Sequence, residues 1–226
     1  MRYQDVVEGR FLERPNRFIA LVEIEGIAHR CHVKNTGRCR ELLLPGVRVV
    51  LQRAKSTTRK TGFSLIAVYK GDRLVNMDSQ APNQVIREAL DAGDIIRGIA
   101  LVKPEYTYGD SRFDFCCEAG GETWLIEVKG VTLERDGESY FPDAPTERGL
   151  KHIKGLEKAL EAGYRTAVIF LVQMEAVAFV APNDGTHPAF GETLRAAARA
   201  GVQVWAWDSK VTPDSLTLNH PVPIRL

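Results

Sequence analysis

The chain has 226 residues, 44% of them hydrophobic and 26% charged, with a formal net charge of +1. That length allows one large domain or two modest ones, and the composition is that of a soluble globular protein rather than a disordered or fibrous one. No apolar run approaches the roughly 20 residues of a membrane span. The start MRYQDVVEGRF lacks a signal-peptide core, so a cytoplasmic protein with no membrane partner is expected.

The small total charge hides an asymmetry. Up to Pro82 there are 15 Lys and Arg against 8 Asp and Glu, and beyond it 15 against 21. A basic first part followed by an acidic second part suggests a polyanion-binding module over 1–82, joined to a catalytic or metal-binding one over 83–226. The four cysteines, Cys31, Cys39, Cys116 and Cys117, form no CxxC pair and are expected as reduced thiols.

In the first part, β-like runs fall at Phe18–Glu25, Ala28–Val33, Arg48–Arg53, Ser64–Tyr69 and Arg73–Met77. Gly26 and Gly71-Asp72 mark turns. Between the second and third runs, Asn35-Thr36-Gly37 reads as a turn and Arg38–Leu44 as one or two helical turns stopped by Pro45-Gly46. Five short strands in about 80 residues suggest a small Greek-key barrel of the OB type, a fold that often holds nucleic acid. Arg53, Lys55, Arg59 and Lys60 lie in or beside the polar loop KSTTRKTG, and Arg38 and Arg40 follow the Asn-Thr-Gly turn. These are candidate phosphate contacts, which give affinity without sequence information. DNA is the expected partner, with RNA equally compatible with an OB barrel. Phe18, Phe63 and Tyr69 are either core residues or base-stacking ones.

In the second part, DSQAP reads as a linker and Asn83 as the cap of a helix to Ala92 that Gly93 ends. Ile99–Tyr106 reads as a strand. ERDGESYFPDAPTERG reads as a long polar loop, of the kind that often carries function. Thr146 then caps a helix with Leu150, Ile153, Leu156 and Leu160 inward, and with Glu147, Arg148, Lys151, His152 and Lys154 on the polar side. Arg165–Val172 reads as a buried strand, Val177–Ala181 as another, Ala189–Ala200 as a helix and Val202–Asp208 as a strand. The tail from Pro213 reads as irregular or a short edge pair. The order predicts an α/β sandwich on a mixed sheet. A homo-oligomer is compatible with the sequence, though no segment marks an interface.

The chemistry concentrates in SRFDFCCEAGGETWLIEVKG, from Ser111 to Gly130. Gly120-Gly121 between two β-like runs predicts a tight hairpin, because primed turns need positive φ. Pairing Ala119 with Glu122 sets Phe115 opposite Ile126, Asp114 opposite Glu127 and Arg112 opposite Lys129. Alternation then puts Arg112, Asp114, Glu127 and Lys129 on one face, and Phe113, Phe115, Ile126 and Val128 on the other. Two carboxylates about 5 Å apart repel by roughly 3 kcal/mol at an effective dielectric near 20. A hard divalent cation, Mg²⁺ or Mn²⁺, held by Asp114 and Glu127 would offset that. Lys129 beside it would orient an attacking water or stabilise charge on a phosphate, the chemistry of phosphodiester cleavage. Arg112, Arg148 and His152 are candidates to steady that phosphate.

SRFDF, the E-V-K tripeptide, FPDAPTERG and the earlier NTGR together resemble the sugar fermentation stimulation protein A family, over essentially the whole chain. The resemblance implies an OB-like N-terminal domain, a C-terminal α/β domain similar to PD-(D/E)xK nucleases, DNA binding, and a role in regulating sugar (maltose) metabolism. Carried over, the nuclease pattern makes Asp114 and Glu127 metal ligands and Lys129 the catalytic lysine, with Glu88 as an auxiliary acid. Arg112-Phe113 stands where that pattern's name puts a proline.

Overall fold

The computed structural model describes residues 1–35, 37–55 and 59–226, so Thr36 of the Asn-Thr-Gly turn and the centre of the KSTTRKTG loop lie outside the described residues. The first unit is built from β1 (Val6–Asn16), β2 (Ile19–Ile24), β3 (Ile27–Val33), β4 (Arg48–Arg53), β5 (Phe63–Lys70) and β6 (Arg73–Asn76). Pairing runs β3-β2-β1-β4-β5-β6, and a parallel β3–β5 contact closes the first five strands into a barrel. Closure removes sheet edges that would otherwise pair with other chains. Period two is visible on β2, where Ala20, Val22 and Ile24 are buried. They meet Phe11, Cys31, Val33, Leu51 and Leu65 in the barrel core.

Two expectations change here. β1, eleven residues long, is central to the barrel, although its sequence VVEGRFLERPN shows no clean alternation. Arg38–Leu44 is a single turn rather than a helix, with Leu43 N–H donating to the Cys39 carbonyl at 3.0 Å. Cys39 sits at φ +44° there, which stops helical propagation.

The second unit starts with α1 (Ala81–Ala92), followed by β7 (Ile99–Tyr108), β8 (Ser111–Ala119), β9 (Glu122–Val131), β10 (Glu134–Arg135), β11 (Glu138–Phe141) and α2 (Glu147–Glu161). It continues through β12 (Arg165–Val172), β13 (Val180–Pro182), α3 (Pro188–Ala200), β14 (Gln203–Thr212) and β15 (Ser215–Pro221). The main sheet has the order β15-β14-β12-β9-β8-β7, parallel at β9–β12–β14 and antiparallel elsewhere. α1 covers one face through Val85, Ile86 and Leu90, while α2 and α3 cover the other through Ile153, Leu156, Phe190 and Leu194. Thr146 caps α2 as expected, its Oγ1 accepting from Gly149 N–H at 3.0 Å. The segment expected as one polar loop contains β10 and β11, and β11 pairs in parallel with the distant β13. Among the described residues no helix is long and apolar enough to cross a membrane.

The two units are tied by polar side chains. Glu134 accepts from Lys70 at 2.6 Å and pairs with Arg73 at 3.1 Å, and Gln173 donates to Asn76 Oδ1 at 2.9 Å. All four cysteines are free and buried.

Candidate metal centre and nucleic-acid surface

The hairpin turns at Gly120 and Gly121, with φ +60° and +82°. Its register runs from Ala119–Glu122 to Phe115–Ile126, as the sequence predicts, and there the ladder stops. Beyond that point β8 pairs only with β7, and β9 only with β12. Asp114 therefore does not face Glu127 across a regular ladder. Its carboxylate enters the gap instead, Oδ2 accepting from Val128 N–H at 2.7 Å and Oδ1 from the Asn83 amide at 2.7 Å.

The same break changes the faces. Phe113 packs on the α2 side and Phe115 on the α1 side, so the expected shared face does not hold. The neighbouring β7 residue Glu105 sits at φ +53°, a local irregularity on the paired strand. Arg112 is exposed and pairs with Glu105 at 3.7 Å, so it does not lie opposite Lys129.

β9 itself stays regular. Glu127 and Lys129 share the side that faces α2, and Glu127 is only 3% exposed. Lys129 Nζ donates to Glu127 Oε1 at 2.5 Å, and His152 Nδ1 of α2 bonds the same oxygen. Gly155 lets α2 come this close, since a Cβ there would stand 2.8 Å from Ser111 Oγ and 3.1 Å from the Phe113 ring. His152 thus belongs to the buried face, not the polar one. The spacing of Gly149, His152, Ile153 and Leu156 is the sequence signal that marks it. Held on Glu127, it does not steady a phosphate. Arg148, exposed one turn earlier, donates from Nε to His152 Nε2 at 3.4 Å and so borders the centre.

The two acids are electrostatically unlike. Burial, then the charge of Glu127, pushes the Asp114 carboxyl above its ordinary value, against the pull of Val128 N–H, Asn83 and Lys129. Burial alone would raise Glu127 as well, but the His152 hydrogen bond and the Lys129 ammonium outweigh it and hold Glu127 below the usual range. Such divergence is characteristic of carboxylates sharing one site. Glu127 Oε2 is buried with no hydrogen-bond partner. An orphaned carboxylate oxygen beside a second acid fits a hard cation. Among the described residues no third His, Cys, Asp or Glu joins them, so water and phosphate oxygens would complete the shell.

Glu88 is not brought to this centre. Its carboxylate takes the Met1 ammonium at 2.7 Å and the Gln84 amide at 3.1 Å. From α1 the centre receives Asn83, which is not the helix cap: the cap position is Gln80, and Pro82 stands in the first turn.

On the barrel, Arg38 and Arg40 line a pocket of about 260 Å³ together with Arg14, Asn16 and Arg17. Arg14 acts as a strut, donating to the carbonyls of Arg17, Asn35, Gly37 and Arg38 at 2.6–2.8 Å. Arg17, missed in the sequence, covers the 46%-exposed ring of Phe18 at 4.9 Å, which leaves Phe18 available for stacking. Arg53 lies over Phe63, which is core, and Arg59 donates to Ser64 Oγ at 3.1 Å. Lys55 and Lys60 are exposed on the same β4–β5 loop. In OB barrels the loops after strands 1 and 4 are the usual nucleic-acid contacts.

Comparison with known proteins agrees with this architecture. Residues 12–77 match the family model described as the SfsA N-terminal OB domain, and residues 80–215 that of the sugar fermentation stimulation protein RE domain. The chain is 52% identical to the sugar fermentation stimulation protein homolog of Desulfitobacterium hafniense (strain DSM 10664 / DCB-2), over 100% of this chain and 99% of that one. It is 49% identical to the homolog of Ruminiclostridium cellulolyticum, over 100% of both. Its fold is similar to that of Pyrococcus furiosus SfsA, solved in complex with Ca²⁺, with a TM-score of 0.91 and 24% identity over 100% of this chain and 98% of that one.

Proposed function

Since the chain belongs to the sugar fermentation stimulation protein family, we propose that it binds DNA through its basic barrel and cleaves phosphodiester bonds at the Asp114–Glu127 centre with Mg²⁺ or Mn²⁺. The observation that carries the catalytic reading is Glu127 Oε2, a buried carboxylate oxygen without a partner beside the raised carboxyl of Asp114. The Ca²⁺ complex of the Pyrococcus furiosus protein supports it by analogy, Ca²⁺ being another hard, oxygen-seeking cation. When bound, the cation supplies Lewis acidity and a water of lowered pKa.

This chain's own residues do the rest. Asp114 and Glu127 supply the oxygen ligands. His152 and Lys129, both on Oε1, fix the Glu127 carboxylate so that Oε2 is the free oxygen. Lys129, largely buried beside the acids, places a positive charge where a phosphate gains negative charge. Arg148 stands at the rim as the exposed cation nearest this cluster's His152. Arg17, Arg38, Arg40 and the β4–β5 loop hold backbone phosphates, giving largely sequence-independent affinity. The relatives' names place this activity in sugar fermentation, where a regulatory role follows if the bound DNA controls sugar genes.

A non-catalytic DNA-binding regulator is the second reading, favoured by the pairing of Glu127 Oε1 with two internal donors and by the absence of a third acid among the described residues. One assay separates the two. Purified protein is incubated with supercoiled plasmid and with single-stranded DNA, with Mn²⁺ or with EDTA, beside Glu127→Ala. Cleavage that needs Mn²⁺ and disappears in the variant supports the enzyme. Retention of DNA without cleavage under Mg²⁺ and Mn²⁺ supports the regulator.

A further inference from the structure

The two sequence motifs that the metal centre leaves unused, NTGR and FPDAPTERG, come from different units and meet. A Cβ at Gly37 would lie 2.9 Å from Asp143 Oδ2, so the loops touch where residue 37 has no side chain. Between them opens a cleft of about 320 Å³. Its floor includes Gly130, the residue after Lys129, and Gln173.

Both walls are pinned. Arg14 holds the Asn35–Arg38 carbonyls, and Asn35 Oδ1 accepts from Gly37 N–H at 2.7 Å. Across the cleft, Asn183 ties down the Phe141 and Pro142 carbonyls, and His187 Nδ1 accepts from Thr146 N–H. Gln173 is 2% exposed, and its Nε2 is committed to Asn76 Oδ1 and the Asp78 carbonyl. That fixes Oε1 toward the floor, 2.5 Å from where a Gly130 Cβ would stand. A pocket built this way is preformed.

Its chemistry selects the occupant. No Lys or Arg lines it, so a phosphate has no counter-charge inside. The lining offers acceptors at Asp143 and Gln173, an amide donor at Asn35, and the aromatic rings of Tyr140 and Phe141. Amide and carboxylate groups set against aromatic rings suit the edge and faces of a nucleobase bearing amino or imino donors. The volume sits at the low end of small-molecule pockets, about 300–1,000 Å³, which admits one nucleoside and no duplex. Cations flank the cleft on either side. Lys129 adjoins Gly130, and the Arg17–Arg38–Arg40 pocket shares Gly37. Gly130 is three residues past Glu127, about 10 Å along the strand at roughly 3.3 Å per residue.

We propose that this cleft receives the base of one unpaired nucleotide, next to the one whose phosphodiester lies at Asp114 and Glu127, so that the substrate is single-stranded or frayed nucleic acid. The proposal rests on the phosphodiesterase reading for its register, and its test avoids cleavage altogether. Binding of the full chain is measured in EDTA to a single-stranded 12-mer, to a fully abasic 12-mer with the same phosphates, to a blunt duplex of the same sequence, and to guanosine monophosphate. The wild type is expected to prefer the base-bearing strand to the abasic one by at least about tenfold. Ala144→Trp, which fills the cleft, is expected to bring that ratio near one while leaving abasic affinity unchanged. Asp143→Asn supplies a second variant that removes only a charge, and is expected to lower the ratio severalfold.

A base preference unchanged in both variants overturns the proposal. So does a duplex bound as tightly as the single strand, or a mononucleotide bound as tightly as the 12-mer, which would make the cleft a small-molecule site. Loss of Mn²⁺-dependent cleavage with this base preference intact would sink the catalytic reading and leave the base pocket standing.

Discussion

Replacing Glu127 by Gln tests the electrostatic argument most directly. The side chain is 3% exposed and its Oε1 takes both Lys129 Nζ and His152 Nδ1, while the Lys129 side chain is 13% exposed. Removing one partner of a buried ion pair costs about 3–5 kcal/mol, because the other charge is left uncompensated. Two features of the site reduce this. A Gln oxygen still accepts one of the two hydrogen bonds, and loss of the Glu127 charge relieves the burden on Asp114. A net loss of about 2–3 kcal/mol is expected, and at roughly 2–4 °C per kcal/mol for a chain of this size Tm falls by about 5–10 °C. The assay is calorimetric melting in EDTA and again with Mn²⁺. Wild type with Mn²⁺ at about a hundred times Kd gains about 2.7 kcal/mol by mass action, and the variant gains none. A variant melting within a degree of wild type in EDTA would refute the ion-pair argument. An equal Mn²⁺ shift in both proteins would remove Glu127 from any metal seat.

Three further outcomes follow from the same geometry. The raised pKa of Asp114 means that its charge destabilises the metal-free fold at neutral pH, and the penalty disappears as pH falls through that raised value toward the unfolded one near 3.9. Denaturant melts from pH 7 to 4 should therefore show wild type gaining on Asp114→Asn, and a flat difference would contradict the shift. Glu127 runs the other way, its contribution present above about 4.3 and lost as pH falls through its depressed value. Glu134→Gln loosens the hold on Lys70 and Arg73, whose side chains are 35% and 28% exposed, so a cost of about 1–2 kcal/mol is expected and the barrel should melt as a separate calorimetric step. One unbroken transition at the wild-type Tm would show the units joined by other means. For the barrel, Arg53→Ala with Lys60→Ala should reduce the slope of log affinity against log salt on duplex DNA by about 2, and an unchanged slope would exclude both as phosphate contacts.

What the sequence discloses is whatever depends on neighbours along the chain. β4 and β12 fall on the residues expected, Arg48–Arg53 and Arg165–Val172, because apolar runs bounded by polar ones are local signals. The Gly120-Gly121 turn and the Thr146 cap are legible for the same reason. β1 is hidden because charged side chains alternate poorly with Val6, Val7 and Phe11, and its strand state is imposed by β2 and β4 on either side. β11 likewise depends on β13, forty residues away in sequence. At the site, Glu88 seems equivalent to Asn83 on a helix diagram only until rotation is counted. Five residues at about 100° each place the two roughly 140° apart, so one faces Asp114 and the other cannot. The opposition of Asp114 and Glu127 was legible as proximity but not as mechanism, since alternation alone contains no signal for a ladder that ends at Phe115–Ile126.

That ending is what makes a site out of a hairpin. Had the ladder run on, the residue facing Val128 would have satisfied its N–H with a main-chain carbonyl, and residue 114 would only have decorated a face. With the strands apart, the Val128 N–H needs an acceptor, and Asp114 supplies it with a side chain. The fold therefore requires a carboxylate, or something like it, in the gap, and the burial that results raises its pKa against the neighbouring Glu127. Glu127 is in turn kept ionised by donors that both use one oxygen, and the other oxygen is left buried and bare. Each acid thus has a structural bond that fixes its direction and residual lone pairs that the protein does not satisfy. A divalent cation satisfies both at once, so the local instability left by the split sheet and the capacity for metal-assisted chemistry arise from the same missing backbone pair.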